Sequence, residues 1–72
     1  MSYDYCKLRG KIVEVFGTQS AFAKEINMSE RTLSLKLNNK LYWVQDEITV
    51  ACKLLGISEE DAHDYFFNLK VQ

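Results

Sequence analysis

Apolar residues recur along the chain at spacings of three and four, broken by Gly, Asn and Ser, a pattern that predicts five short helices. The first runs from about Tyr5 to Phe16, with Asp4 as N-cap, Leu8, Ile12, Val15 and Phe16 on one stripe, and Gly17 placed to end it. The second, Gln19 to Ile26, starts behind Thr18 and buries Phe22, Ala23 and Ile26. Asn27, a residue type that accepts positive φ, then turns the chain. Ser29 caps a third helix from Glu30 to about Asn38. A loop from Asn39 to Gln45 leads to a fourth, Asp46 to Leu55, ended by Gly56. Its inward stripe is Ile48, Ala51, Cys52 and Leu55, with Val50 and Leu54 almost opposite. Ser58 caps the fifth, whose first turn (Glu59, Glu60, Asp61) puts negative charge at the positive end of the helix dipole. Residues Phe67 to Gln72 alternate apolar and polar with period two, which reads either as an added half-buried strand or as a frayed tail. The predicted fold class is all-α: one compact five-helix domain over residues 1–72.

The third helix carries the first functional signal. At about 100° per residue, with Leu33 as zero, Leu37 lies at about 40°, so the buried direction is near 20° and the outward direction near 200°. Arg31, Leu35 and Asn38 fall at about 160°, 200° and 140°, flanked by Thr32 and Ser34. The outer face is polar except at its centre, Leu35. Two short helices joined by a three-residue turn, the second polar outward, are the elements of a helix-turn-helix, here residues 18 to 38. Ala23 allows the helices to cross closely, Met28 plugs the gap beneath the turn, and Gln19 stands where its side chain and nearby backbone amides can grip a phosphate.

Charge sharpens this picture. The chain of 72 residues has nine Lys+Arg and ten Asp+Glu, a net of −1, where a domain held to nucleic acid by phosphate neutralisation usually carries a basic surplus. The halves differ. Residues 1–40 hold Lys7, Arg9, Lys11, Lys24, Arg31, Lys36 and Lys40 against Asp4, Glu14, Glu25 and Glu30, a net of +3; residues 41–72 hold Lys53 and Lys70 against Asp46, Glu47, Glu59, Glu60, Asp61 and Asp64, a net of −4. Any polyanion site is therefore expected in the first half, with a thin electrostatic footprint. Two cysteines, Cys6 and Cys52, are too sparse for a disulfide scaffold or a tetrahedral zinc site and read as reduced thiols. No segment approaches the roughly 20 apolar residues that cross a bilayer, and no leader pattern stands at the N-terminus, so a cytoplasmic protein with no membrane partner is expected.

Three stretches carry a family likeness: Gly17-Thr18-Gln19-Ser20-Ala21-Phe22-Ala23, then Ser29-Glu30-Arg31-Thr32-Leu33-Ser34, then Leu37-Asn38-Asn39-Lys40. They resemble the Cro and CI-like helix-turn-helix regulators of temperate phages. Gln45-Asp46-Glu47-Ile48, Leu54 to Glu60 and Tyr65-Phe66-Phe67 continue the likeness over nearly the whole chain. Within that group the sequence looks most like the modulator-of-repression (antirepressor) proteins of lactococcal phages. The resemblance implies that Gln19 contacts a phosphate, that Arg31, Thr32, Ser34 and Leu35 face base edges, and that Lys36, Asn38 and Lys40 follow the DNA backbone. The sequence departs from the family pattern at two positions. Lys36 stands where the family usually has an apolar residue, and Asn27 replaces the usual turn Gly.

The same likeness implies a protein partner, the phage's own CI-type repressor, met through Arg31, Leu35, Tyr42 and Trp43. Leu35 suits a thymine methyl or a protein interface equally. Tyr42, Trp43, Tyr65, Phe66 and Phe67 are many aromatics for a small core; they either close that core or mark a docking surface. The expected function is a Cro-like antirepressor of the lytic/lysogenic switch that engages the repressor, operator DNA, or both. The alternative is a stand-alone operator-binding repressor working as a homodimer through its C-terminal strand. Enzymatic readings find no support: His63 is the one His, no Gly-rich phosphate loop or nucleophile motif is present, and capping explains the acids at 59–61. No cofactor and no metal are expected.

Overall fold

The computed structural model describes residues 2–70; within them the chain forms α1 (Cys6–Phe16), α2 (Gln19–Glu25), α3 (Glu30–Leu37), α4 (Gln45–Leu55) and α5 (Glu59–Phe66). Each boundary lies within one residue of the expected one. The hydroxyls of Thr18, Ser29 and Ser58 accept the backbone N–H three residues on, at 3.1, 3.0 and 3.3 Å, satisfying amides that no helix bond can reach. At α1 the N-cap residue is Tyr5, one later than expected, but the Asp4 carboxylate still accepts the Cys6 N–H at 2.9 Å. Asn27 adopts φ 62° and Gly56 φ 68°, the left-handed turns that end α2 and α4.

The core is built on α1, whose Leu8 and Ile12 are fully enclosed and which packs against α2, α4 and α5. Phe22, Leu33, Ala51, Leu55 and Phe66 close around them. Full burial of one such large side chain is worth roughly 2 kcal/mol. Leu33 and Leu37 are buried and Arg31, Ser34 and Asn38 exposed, so α3 has the orientation its apolar stripe predicts. Helix α3 packs chiefly on α2, which leaves its other side open.

Residues 68–70 are held within the chain along one edge: Tyr3 and Leu69 form an antiparallel bridge, the Asp4 N–H donates to the Asn68 carbonyl at 2.7 Å, and the Lys70 N–H donates to that of Ser2 at 3.0 Å. The segment meets the N-terminal residues because α1 and α5 pack together and bring the two ends side by side. Val71 and Gln72, the last residues of the predicted alternation, lie outside the described residues.

Candidate functional site

The open side of α3 and the loop after it form one continuous surface. On the helix, Arg31 and Ser34 are exposed, Thr32 and Leu35 half-buried. The Arg31 guanidinium makes no hydrogen bond or ion pair among the described residues, whereas the Thr32 hydroxyl is held by that of Ser29 at 2.9 Å. Gln19, the first residue of α2, is half-buried, and Lys40 is exposed in the loop. None of these side chains is buried.

Lys36 is buried. Placed by family resemblance along a DNA backbone, it is instead only 6% exposed. Its ammonium donates to the Glu47 carboxylate at 2.7 Å and to the Tyr42 carbonyl at 2.8 Å, and sits 5.8 Å from the centre of the Trp43 ring. A phosphate cannot reach an ammonium so enclosed and so paired. On the helical wheel Lys36 lies at about 300°, nearer the buried direction than the outward one, and its position is apolar in the resembled family. Those two signals pointed inward; the acid that receives the charge is eleven residues away on the next helix, which no local pattern reveals. Burial alone would raise the Glu47 carboxyl, but the Lys36 hydrogen bond and charge, with the Val44 N–H, more than offset this and hold it below its ordinary value.

Asn38 is also committed elsewhere. Its side-chain oxygen accepts from Arg9 at 2.9 Å and its amide donates to the Ser34 carbonyl at 2.8 Å, while Arg9 also donates to the Leu37 carbonyl at 3.0 Å. Arg9 thus ties the C-terminal end of α3 to α1, and serves structure rather than recognition. Asn39 likewise matters through its side chain, which brackets the backbone of Tyr3: its oxygen accepts the Tyr3 N–H at 2.8 Å and its amide donates to the Tyr3 carbonyl at 2.9 Å.

The aromatic residues divide between the two readings offered for them. Tyr42 is 82% exposed, flanked by the exposed Leu41 and Val44. Trp43 is half-buried, its ring edge-on to Phe66 at 5.2 Å. Its packed side supports the loop, and the remainder of the ring is open to the surface. Phe66 is core, Tyr65 lies half-buried beneath the Lys7 ammonium at 4.7 Å, and Phe67 is partly exposed. The surface therefore comprises Arg31, Ser34 and Leu35 on the helix, then Lys40, Leu41, Tyr42 and Val44 on the loop.

Such a surface has one cationic group on the helix, one on the loop, and several exposed or half-exposed apolar side chains. That is a sparse set for a polyanion and a suitable one for a protein. Elsewhere, Cys6 is an exposed free thiol and Cys52 a half-buried one whose thiol burial pushes up. Among the described residues no helix is long and apolar enough to cross a membrane.

Residues 1–69 match the family model described as "Protein of unknown function (DUF739)". The chain is similar to the modulator of repression (MOR) of the temperate bacteriophage TP901-1 from Lactococcus lactis, whose solution structure is known. The identity is 53%, the likeness covers 100% of this chain and 97% of that one, and the TM-score is 0.82. This bears out the resemblance to the modulator-of-repression proteins. No curated protein matches the chain.

Proposed function

The chain belongs to the DUF739 family, and on that premise we propose that it is a temperate-phage regulator of the lytic/lysogenic switch, a modulator of repression that binds its cognate CI-type repressor. The observation that carries this reading is the end-to-end likeness, at 53% identity, to a phage modulator of repression. The face described above supplies the contact: Leu35 and Tyr42 as apolar anchors, Arg31 as the charged group at the edge. Apolar anchors ringed by polar groups are the usual anatomy of protein interfaces. The work is done in the cytoplasm of the bacterial host, without catalysis or a cofactor.

A second reading, operator binding through α2 and α3 as a helix-turn-helix, is favoured by the outward set Arg31, Thr32 and Ser34 and by Gln19 at the start of α2. Two observations weigh against it as the main activity. Lys36 is buried and Asn38, though exposed, is hydrogen-bonded to Arg9 and Ser34, and the net charge is −1. Residues 68–70 pair along one edge with residues 2–4 of the same chain.

Titration calorimetry with the cognate repressor, at 50 and 200 mM salt, tests the proposal. An apolar protein interface is expected to give a complex whose affinity hardly changes, whereas DNA binding through about six phosphates would weaken roughly 10³-fold over that range. Leu35→Asp is expected to abolish the repressor complex, and Arg31→Ala to act most on any DNA binding. No heat of binding to the repressor at either salt would overturn the proposal.

A further inference from the structure

The loop that presents Tyr42 has no regular backbone bonding of its own, yet it is held at every point. At its start, Asn39 takes the left-handed conformation (φ 62°) and clasps the Tyr3 backbone, and the N–H groups of Lys40 and Leu41 both donate to the Leu35 carbonyl, at 2.8 and 3.3 Å. At its end, the Glu47 carboxylate accepts the Val44 N–H at 3.0 Å. At its centre, one oxygen of that same carboxylate binds the Lys36 ammonium, which in turn donates to the Tyr42 carbonyl. The Trp43 ring lies between the ammonium and Phe66, although its Nε1–H is buried with no hydrogen-bond partner among the described residues.

A lysine in a helix this short would ordinarily reach water. Replacing a buried ion pair with apolar residues is often neutral or stabilising, so stability alone gives little reason to enclose Lys36. Its geometry suggests another reason: two of its three donors are aimed at the loop and at the acid that caps the loop's far end.

Resting on the repressor-binding reading above, we infer that Lys36 and Glu47 are positioning residues for partner docking, a buried clamp that fixes residues 39–44 so that the Tyr42 backbone is tied to α3 in the docking shape. Neither side chain touches the partner. Both act by removing the freedom the loop would otherwise surrender on binding, which is the physical content of preorganisation. The clamp joins α3 to α4 through the loop itself, so the helical and loop halves of the surface cannot shift independently.

Lys36→Met keeps the length and packing of the stem and deletes the ammonium; Glu47→Gln keeps an acceptor for both the lysine and the Val44 amide. Repressor affinity is measured by calorimetry for the wild type, Lys36→Met, Tyr42→Ala and the Lys36→Met/Tyr42→Ala double variant. Each single change is expected to weaken binding about tenfold and the double also about tenfold, because Tyr42 adds little once its loop is loose. Glu47→Gln is expected to lose no more than about threefold. Roughly hundredfold loss in the double, or wild-type affinity in Lys36→Met, would overturn the inference. The single tryptophan gives a readout that does not depend on the repressor: acrylamide quenching of Trp43 is expected to rise about twofold in Lys36→Met while the helical circular dichroism is unchanged. Unchanged quenching would sink the clamp even if the repressor binds; absence of repressor binding by the wild type would sink the functional proposal and leave the quenching result to judge the clamp.

Discussion

The α2–turn–α3 unit and the loop at residues 39–44 make up adjoining parts of one surface, but they are held by different physics. The helical unit is fixed from within: hydroxyl caps at Thr18 and Ser29, a left-handed Asn27, and an apolar stripe of Leu33 and Leu37 against Phe22. The loop is fixed from outside, by Tyr3 at one end, Phe66 beneath, and the Lys36–Glu47 pair across its middle. Local rules place the first, and contacts between residues distant in sequence place the second. A change in the loop's supports should therefore loosen the loop while leaving the helices formed, and a substitution within the helical unit should do the reverse.

The largest effect is expected from Glu47→Leu. It strands the Lys36 ammonium, buried with one carbonyl as its remaining partner, and leaves the Val44 N–H without an acceptor. Removing one member of a buried pair costs about 3 kcal/mol, far more than removing the pair together. Chemical denaturation should show this loss in Glu47→Leu and recover most of it in the Lys36→Met/Glu47→Leu double variant. If the double is as unstable as the single, Lys36 is not held by charge and the loop is supported by packing alone.

Acid should loosen the same clamp reversibly and only in part, to the extent that Glu47→Gln does, because a neutral Glu47 still offers an acceptor oxygen to Lys36 and Val44. The Glu47 carboxyl is held below its ordinary value of 4.5 in the folded protein, so its contribution is complete above that pH and is lost as pH falls through the lowered one. Trp43 fluorescence is expected to show a transition on the acid side of 4.5 in the wild type and none in Glu47→Gln, which cannot ionise. A transition of equal size in both would assign it to other carboxylates.

This division explains what could be read before any coordinates. The helix limits, the caps at Thr18, Ser29 and Ser58, and the buried Leu33–Leu37 stripe follow from spacings of three or four residues, which sequence displays directly. The outward placement of Arg31 and Ser34 came with them. The roles of Lys36, Trp43, Asn38 and Asn39 did not, because each is decided by a partner on another element: Glu47, Phe66, Arg9 and Tyr3. Family likeness misplaced Lys36 for a related reason. It transfers the surface of a fold, and here a residue facing inward had taken a charge whose compensation lies on the next helix. The tail shows the same principle, since period-two alternation identifies a strand but says nothing about what it pairs with.

The smallest effect makes the finest distinction between the two regions. Asn27 and Asn39 share the same backbone angle, φ 62°, and each follows a short helix. Asn27 contributes its conformation: its side chain makes no hydrogen bond among the described residues. Asn39 contributes conformation and two bonds to Tyr3. The same substitution separates these roles. Gly enters the left-handed region without steric cost but is freer in the unfolded chain, so Asn27→Gly should shift stability by no more than about 0.5 kcal/mol in either direction. Asn39→Gly forfeits two hydrogen bonds as well and should cost about 1.5 kcal/mol, with faster amide exchange at Tyr3 and in the loop. Equal effects at the two sites would mean that the Tyr3 clasp adds nothing beyond the turn, and that the loop's first anchor is as local as the one between α2 and α3.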